Sequence, residues 1–409
     1  MSTTPGTAKA DDLPEFIGRY RVVARIGKGA MGVVYSALDE RLGRKVAVKL
    51  MLADFEQEPD MRERFYREAK ITGQLAHRNI VTLFDLGEDQ GRPFIVMELL
   101  DGLPLMQYLG TAPASTVDAK IELMIQVCEG LQNAHQAGVV HRDVKPSNLF
   151  VVRGGTLKVL DFGVARLSTS NITAAGALLG TPEYMSPEQA RGQKMDSRSD
   201  VFSAAGVFYF MLSGHPPFGA RDLRKVLNGI MNESPEPLTD DQAPEALRNI
   251  LLKGLAKSPA DRYQQCAAMR DDLDQIRRTL NAATSRVLAA ALDRYRQIIA
   301  VIEERRTIGR TLGVAGIDVS CADAVARLEA RFPVFAAYTH AAAVAEPMDR
   351  TVATAALEAL QVRHNAEQAA VAALREQQAD ALRPGPKTGA PDRARAGGFW
   401  RGLLKTRDS

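Results

Sequence analysis

Cysteine and tryptophan are scarce in this chain, with three Cys and one Trp among 409 residues. Cys128, Cys266 and Cys321 are odd in number and far apart. That pattern excludes a disulfide framework, argues against a Cys-built metal site and fits a reducing, cytoplasmic compartment. Charge of one sign is lacking too. The 52 Lys+Arg and 49 Asp+Glu leave a formal net charge of +3, so no overall field argues for a nucleic-acid partner. Met1–Pro14 has no apolar run of the kind a secretory signal needs. Long hydrophobic runs are rare. Val201–Ala220 carries no charge over 20 residues, a length that spans a bilayer, but Ser203, Gly214, His215, Pro216 and Pro217 interrupt it. It reads as a buried core helix, and no membrane span is expected. Phe332–Ala345 is uncharged but too short to span.

What is present is ordinary for a globular protein: 45% hydrophobic and 25% charged residues. The length predicts two to three domains. Tyr20–Arg25, Gly32–Leu38 and Lys45–Leu50 read as strands punctuated by Gly27, Gly29, Gly32 and Gly43. The spacing of Phe65, Glu68, Thr72 and Leu75 predicts a helix over Pro59–Leu75, and Val81–Leu86 and Pro93–Leu99 return to strand. From Thr116 helical patterns dominate: Val117–Ala137, Asp200–Leu212, Asp222–Asn232, Pro244–Leu255 and Cys266–Leu280. A small sheet-rich unit followed by a larger helical one implies a ligand-binding cleft between two lobes. After about Leu280 the composition changes. Residues 281–409 hold 31 alanines and a charge of +4, which leaves about −1 for the rest. Leu288, Leu292, Tyr295, Ile299 and Ile302 form a short heptad-like seam, expected to pack on a neighbouring helix. Arg350–Leu382 is a second Ala-rich helical stretch, and Arg383–Gly398, with Pro384, Pro386 and Pro391, reads as a flexible linker.

Gly27-Lys28-Gly29-Ala30-Met31-Gly32-Val33-Val34 is a G-x-G-x-x-G-x-V run. Alone it is a weak signal, since glycines between strands usually mark a hairpin. Its place between two strands disfavours a dinucleotide fold, in which phosphate meets a helix N-terminus. It suits a flap whose backbone N–H groups approach phosphates closely. Val46-Ala47-Val48-Lys49 follows on the third strand. An ammonium at the end of a buried strand needs a counter-charge, and Glu68 on the inward face of the next helix is the natural partner. His141-Arg142-Asp143-Val144-Lys145-Pro146-Ser147-Asn148, Asp161-Phe162-Gly163 and Ser186-Pro187-Glu188 then follow in order. With these pieces the chain resembles the protein kinase family over about Tyr20 to Leu273. The phrasing is most similar to bacterial, eukaryotic-like Ser/Thr kinases.

The resemblance implies an α+β, two-lobed protein kinase fold with a β-rich N-lobe and a helical C-lobe. The resemblance marks residues 20–273 as the kinase domain; composition adds a flexible segment 1–19, an Ala-rich helical extension 274–382 that matches no known family and would sense a signal, dimerise or buttress the kinase, and a flexible basic tail 383–409. The resemblance implies ATP and Mg²⁺ as cofactors, with Mn²⁺ as an alternative cation, and protein substrates. Lys49, held by Glu68, would grip the α/β-phosphates. Asn148 and Asp161 would present oxygens to Mg²⁺, a hard cation. Asp143 would accept or orient the hydroxyl proton, and Lys145 would reach the γ-phosphate. Gly27, Lys28, Gly29, Ala30, Met31 and Gly32 would form the flap. Ile26, Val34 and Ala47 would sandwich adenine against Phe150. Met97 would line the back of the pocket, and Glu98 and Leu100 would offer backbone hydrogen bonds. Lys145 with Gly180-Thr181 marks Ser/Thr rather than Tyr specificity in the family, with Thr181 on the substrate side. Glu188 would pair with Arg262, and Asp200 would anchor the catalytic-loop backbone.

Arg142, before Asp143, implies activation by a phosphate on the following segment, paired by Arg142 and Arg166. Thr169 and Thr173 are the first candidates, with Ser168 and Ser170 beside them. Self-association for autophosphorylation in trans is part of this expectation. Residues 383–409 hold seven basic and two acidic side chains around Phe399, Trp400, Leu403 and Leu404. They read as a frayed terminus, with a membrane-surface helix or docking peptide as the alternative. Against an active protein kinase stand two alternatives: a pseudokinase scaffold working through its C-terminal helices, and a small-molecule kinase of the same fold, a class that usually lacks the Gly-Thr and Pro-Glu motifs present here.

Overall fold

The computed structural model describes residues 13–29, 32–51, 59–162, 182–219, 222–340 and 350–382; of these, the side chains of 59–62, 64, 65, 68, 337–340, 350 and 351 are outside the description. The chain divides into two compact units, Met1–Asn281 and Ala282–Ser409.

The first unit opens with β1 (Phe16–Ile17), β2 (Tyr20–Lys28), β3 (Gly32–Asp39) and β4 (Arg44–Met51), then α1 (Pro59–Thr72), β5 (Leu83–Asp89) and β6 (Arg92–Glu98). The strands form one antiparallel sheet in the order β1-β2-β3-β4-β6-β5. One face buries Tyr20, Ala37, Val46, Val48, Phe94 and Val96, the alternate residues of paired strands. The sequence predicts a strand over Val81–Leu86, and β5 instead runs on to Asp89. It is the edge strand, where charged Glu88 and Asp89 are tolerated, and the left-handed pair Gln90 (φ 52°) and Gly91 (φ 81°) turns it into β6. Gly32 has a reason of its own. A Cβ there would lie 2.4 Å from the Leu50 carbonyl oxygen, so β4 requires this glycine before any phosphate does.

A small sheet of β7 (Gly102–Pro104), β8 (Leu149–Val152) and β9 (Leu157–Val159) follows, in that order. Val81 N donates to Val159 O at 3.0 Å and Val159 N to Asn79 O at 2.8 Å, which fixes β9 against the segment entering β5. The helices are α2 (Leu105–Tyr108), α3 (Val117–Gln136), α4 (Pro187–Ala190), α5 (Ser197–Ser213), α6 (Leu223–Asn232), α7 (Glu245–Gly254) and α8 (Cys266–Thr311). The uncharged stretch of the sequence lies mostly in α5. This helix is capped by Asp196, ended by Gly214 in the left-handed region, and buried on nearly every side. An all-round apolar helix is what a core requires. Among the described residues no helix is long and apolar enough to cross a membrane.

The second unit holds the later part of α8 with α9 (Ile317–Arg331), α10 (Pro333–His340) and α11 (Arg350–Ala381). Its core contains Ala291, Tyr295, Ile298, Ile302, Cys321, Leu328, Phe335 and Leu360. Of the expected seam, Tyr295 and Ile302 are buried in this core and Leu288, Leu292 and Ile299 pack against it. Ala291 and Ile298 are buried, while Leu292 and Ile299 are half-buried and pack beside them. Small Ala291 allows close helix approach, which a search for large apolar residues overlooks. Helix α8 also passes the predicted end at Leu280, since nothing in Asn281–Thr284 breaks a helix.

Candidate active site

Strand β4 places Lys49 opposite Val34 on one side and Ile95 on the other. Its ammonium donates to Asp161 Oδ1 at 2.8 Å. Asp161 follows β9 with a φ of 58°, in the left-handed region. Burial alone would raise the Asp161 carboxyl, but the charge and hydrogen bond of Lys49, with help from His141 and Lys145, hold it below the usual carboxylate range. A cavity beside this pair is lined by Lys49, Thr72, Leu83, Met97, Asp161 and Phe162.

The loop between α3 and β8 carries the second group. Asn148 Nδ2 donates to the Asp143 backbone oxygen at 2.8 Å and to Asp143 Oδ2 at 3.0 Å. Lys145 Nζ lies 2.7 Å from the same Oδ2. The loop is held from below by Asp200, in the first turn of α5. Its Oδ2 accepts the His141 amide at 2.8 Å and its Oδ1 accepts the Arg142 amide at 2.8 Å. His135 Nε2 reaches the same Oδ2 at 2.7 Å. Three donors on a fully buried carboxylate meet its need for compensation. The His141 ring ties the two groups together. Its Nε2 donates to the Leu160 carbonyl at 2.8 Å, leaving Nδ1 to accept the Asp143 amide at 3.2 Å. The ring also meets Phe162 edge-on, 4.5 Å between centroids.

A family model for the protein kinase domain matches residues 20–273. The chain belongs to the protein kinase family. It is 40% identical over 281 residues to a probable serine/threonine-protein kinase PknB of Corynebacterium glutamicum, covering 66% of this chain and 44% of that one. It is 40% identical over 264 residues to serine/threonine-protein kinase Pkn1 of Myxococcus xanthus, covering 63% and 38%. Among solved structures, the Mycobacterium tuberculosis PknI kinase domain aligns with a TM-score of 0.52 at 27% identity, covering 66% of this chain and 99% of that one. The chain thus spans less than half the length of these curated relatives.

Within the kinase domain, the structure brings Lys49 to Asp161 and gathers Asp143, Lys145 and Asn148. The Glu68 side chain lies outside the described residues, as do Ala30, Met31, Arg166, Ser168, Thr169, Ser170, Thr173 and Thr181. Ile26 is half exposed and Ala47 is buried opposite Met97. Phe150 sits on β8 opposite Pro104 and Lys158. Glu98 uses its amide on the Thr82 carbonyl at 3.0 Å. Its carboxylate accepts from Lys158 Nζ and from the Thr82 amide, both at 2.7 Å.

Three supporting residues escape a reading of the sequence. His135 and Lys158 lie far along the chain from the carboxylates they meet, and no local pattern marks them. Gln189 was legible in principle. Ser186 and Gln189 form a reciprocal capping box at the start of α4. The Gln189 amide then donates to the Arg142 carbonyl at 2.7 Å. Ser186, where the family motif has Ala, is thus the N-cap of α4.

Proposed function

We propose that this chain transfers the γ-phosphoryl group of ATP to Ser and Thr hydroxyls of proteins. The observation that carries the reading is the Lys49–Asp161 contact at 2.8 Å beside the Asp143–Lys145–Asn148 cluster. Phosphoryl transfer needs positioning and charge neutralisation more than covalent chemistry. Lys49 orients the α/β-phosphates, and Asp143 accepts or orients the hydroxyl proton. Lys145 lies 2.7 Å from Asp143, and its ammonium meets the γ-phosphate. The donor set fits Mg²⁺ or Mn²⁺. Asn148 commits its N–H groups to Asp143, so its oxygen remains to offer, and Asp161 has an oxygen besides the one facing Lys49. Such a cation would be held largely by phosphate oxygens and water besides these two residues. Bound there, the cation would neutralise charge on the phosphates. Adenine would lie between Ile26, Val34 and Ala47 above and Phe150 below, with the Glu98 carbonyl and Leu100 at its edge.

Activation by autophosphorylation within Ser168–Thr173 belongs to the same proposal, with Arg142 and Arg166 as the pairing cations and a second copy as the donor enzyme. The three cysteines are free thiols buried in the fold, which supports a cytoplasmic setting. The rival reading is a pseudokinase scaffold that acts through the second unit. The full chain with γ-labelled ATP, Mg²⁺ and casein separates them. Wild type should label casein, and Lys49→Met or Asp161→Ala should lower the rate by about 10²–10³-fold. Equal labelling by wild type and Asp161→Ala would overturn the proposal.

A further inference from the structure

Lys257, in the loop between α7 and α8, is a half-buried cation outside the site just described. Its Nζ donates to the Gly229 and Ile230 carbonyls of α6, at 2.8 and 2.7 Å. Arg191, the residue that ends α4, donates to the next carbonyl, Met231, at 2.9 Å. Three successive carbonyls in the last turn of α6 are therefore met by two cations, at the helix end that favours positive charge; Gly229 also accepts the Glu233 amide at 3.1 Å. The ammonium also stands 3.8 Å from the centroid of the Phe218 ring. Phe218 stacks on Phe202, 6.1 Å between centroids, and the Arg262 guanidinium lies 4.9 Å from the Phe202 ring. Arg262 Nη2 returns to the Lys257 carbonyl at 3.0 Å. One aromatic pair thus carries two cations, and one of those cations grips Glu188 on α4.

These contacts lead to the reacting loop. Helix α6 packs on the Pro182–Tyr184 turn and on α4. Helix α4 carries Gln189, whose amide holds the Arg142 carbonyl next to Asp143. We infer that Lys257 is a positioning residue for phosphoryl transfer: its ammonium fixes the end of α6, and through α6 and α4 the catalytic loop. The inference rests on the kinase reading proposed above.

The charged form is what the aromatic face and the helix carbonyls recognise. The groups facing it are Arg262, Arg191 and Glu233. Burial first, and then Arg262, bring the Lys257 ammonium down from 10.5 to about 8, with Arg191 adding to the fall and Glu233 opposing it. A base whose folded pKa lies below its unfolded one binds less proton when folded. Deprotonation therefore does not destabilise the fold, and stability rises between about 8 and 10.5. Loss of activity without loss of Tm on the alkaline side is the signature that follows.

The test uses the full chain with casein and labelled ATP, with Tm and pH–rate profiles for wild type, Lys257→Met and Lys257→Arg. Lys257→Met should lose about tenfold in kcat with KM for ATP unchanged. Lys257→Arg, which stays charged, should restore it. Wild type should lose rate as pH passes about 8 with Tm undiminished, and Lys257→Arg should not. Wild-type rates in Lys257→Met, or the same alkaline limb in Lys257→Arg, would overturn the inference. Absence of transfer by wild type would instead strike down the kinase reading.

Discussion

Arg262 grips Glu188 through two guanidinium nitrogens at 2.8 Å each, across 74 positions of sequence. The Arg262 side chain is fully buried and that of Glu188 is 7% exposed. Arg262 further donates to the Ala256, Arg198 and Lys257 carbonyls, and Ser199 donates to Glu188. A buried ion pair is worth little against an apolar substitute, but breaking one partner leaves a lone buried charge. Glu188→Gln should therefore lower the stability of the kinase domain by about 3–5 kcal/mol in denaturant unfolding. Burial pushes the Glu188 carboxyl up, but the hydrogen bonds from Arg262 and Ser199 and the Arg262 charge outweigh it and hold the group below 4.5. Its contribution is thus complete above 4.5 and is lost as pH falls through the lower, folded value. Wild type should show an acid limb there that Glu188→Gln lacks. An unchanged acid limb in the variant would place that titration elsewhere.

The order of the motifs along the chain made the fold and the candidate site residues legible, because each piece has a local reason. A flap needs glycines, and a strand-end ammonium needs a carboxylate. What was not legible is set by distance. His135 and Asp200 are 65 positions apart, and Lys158 and Glu98 are 60. Only the packed lobe joins them. The seam of α8 holds Tyr295 and Ile302 as expected, and small Ala291 with Ile298 joins them at the core while Leu292 and Ile299 take the flank. Gly32 was read as a phosphate contact, and β4 gives it a steric reason the sequence does not carry.

The Glu98–Lys158 pair makes a further prediction. Lys158 is 13% exposed and is carried by β9, opposite Phe150. Glu98 takes its ammonium and the Thr82 amide on one oxygen. Strand β9, which pairs with the strand carrying Phe150, is thereby fixed to β6 behind the proposed adenine site. Glu98→Ala should raise KM for ATP about tenfold, from the ~1.5 kcal/mol a charge-assisted hydrogen bond contributes. Its kcat should change little, because neither group touches the phosphates. A fall in kcat with KM unmoved would assign the pair to the catalytic loop instead.

Autophosphorylation is open to a direct comparison. Active protein incubated with ATP should carry phosphate on Thr169 or Thr173, with Ser168 and Ser170 as minor positions. Asp143→Asn should carry none under the same conditions. Each phosphate adds about −1.5 to −2 charges, enough to order a segment against Arg142 and Arg166. Phosphopeptide mapping reads the positions. Equal occupancy in wild type and Asp143→Asn would show that another enzyme supplies the phosphate.

The second unit has its own buried charge. Glu367, 3% exposed, takes Arg305 of α8 at 2.8 Å and Arg363 of its own helix α11 at 2.7 Å. Arg305 is 14% exposed, so losing the carboxylate strands a cation among the apolar and alanine side chains of the bundle. Glu367→Met should cost this unit about 3 kcal/mol. Glu367→Met combined with Arg305→Met should recover most of that loss, since two apolar side chains replace two buried charges. Chemical denaturation of the full chain, followed by helical circular dichroism, resolves the two cases. Equal losses in the single and double variants would show that Arg305 needs no counter-charge, and would move the stabilising role to the Arg363–Glu367 pair along α11.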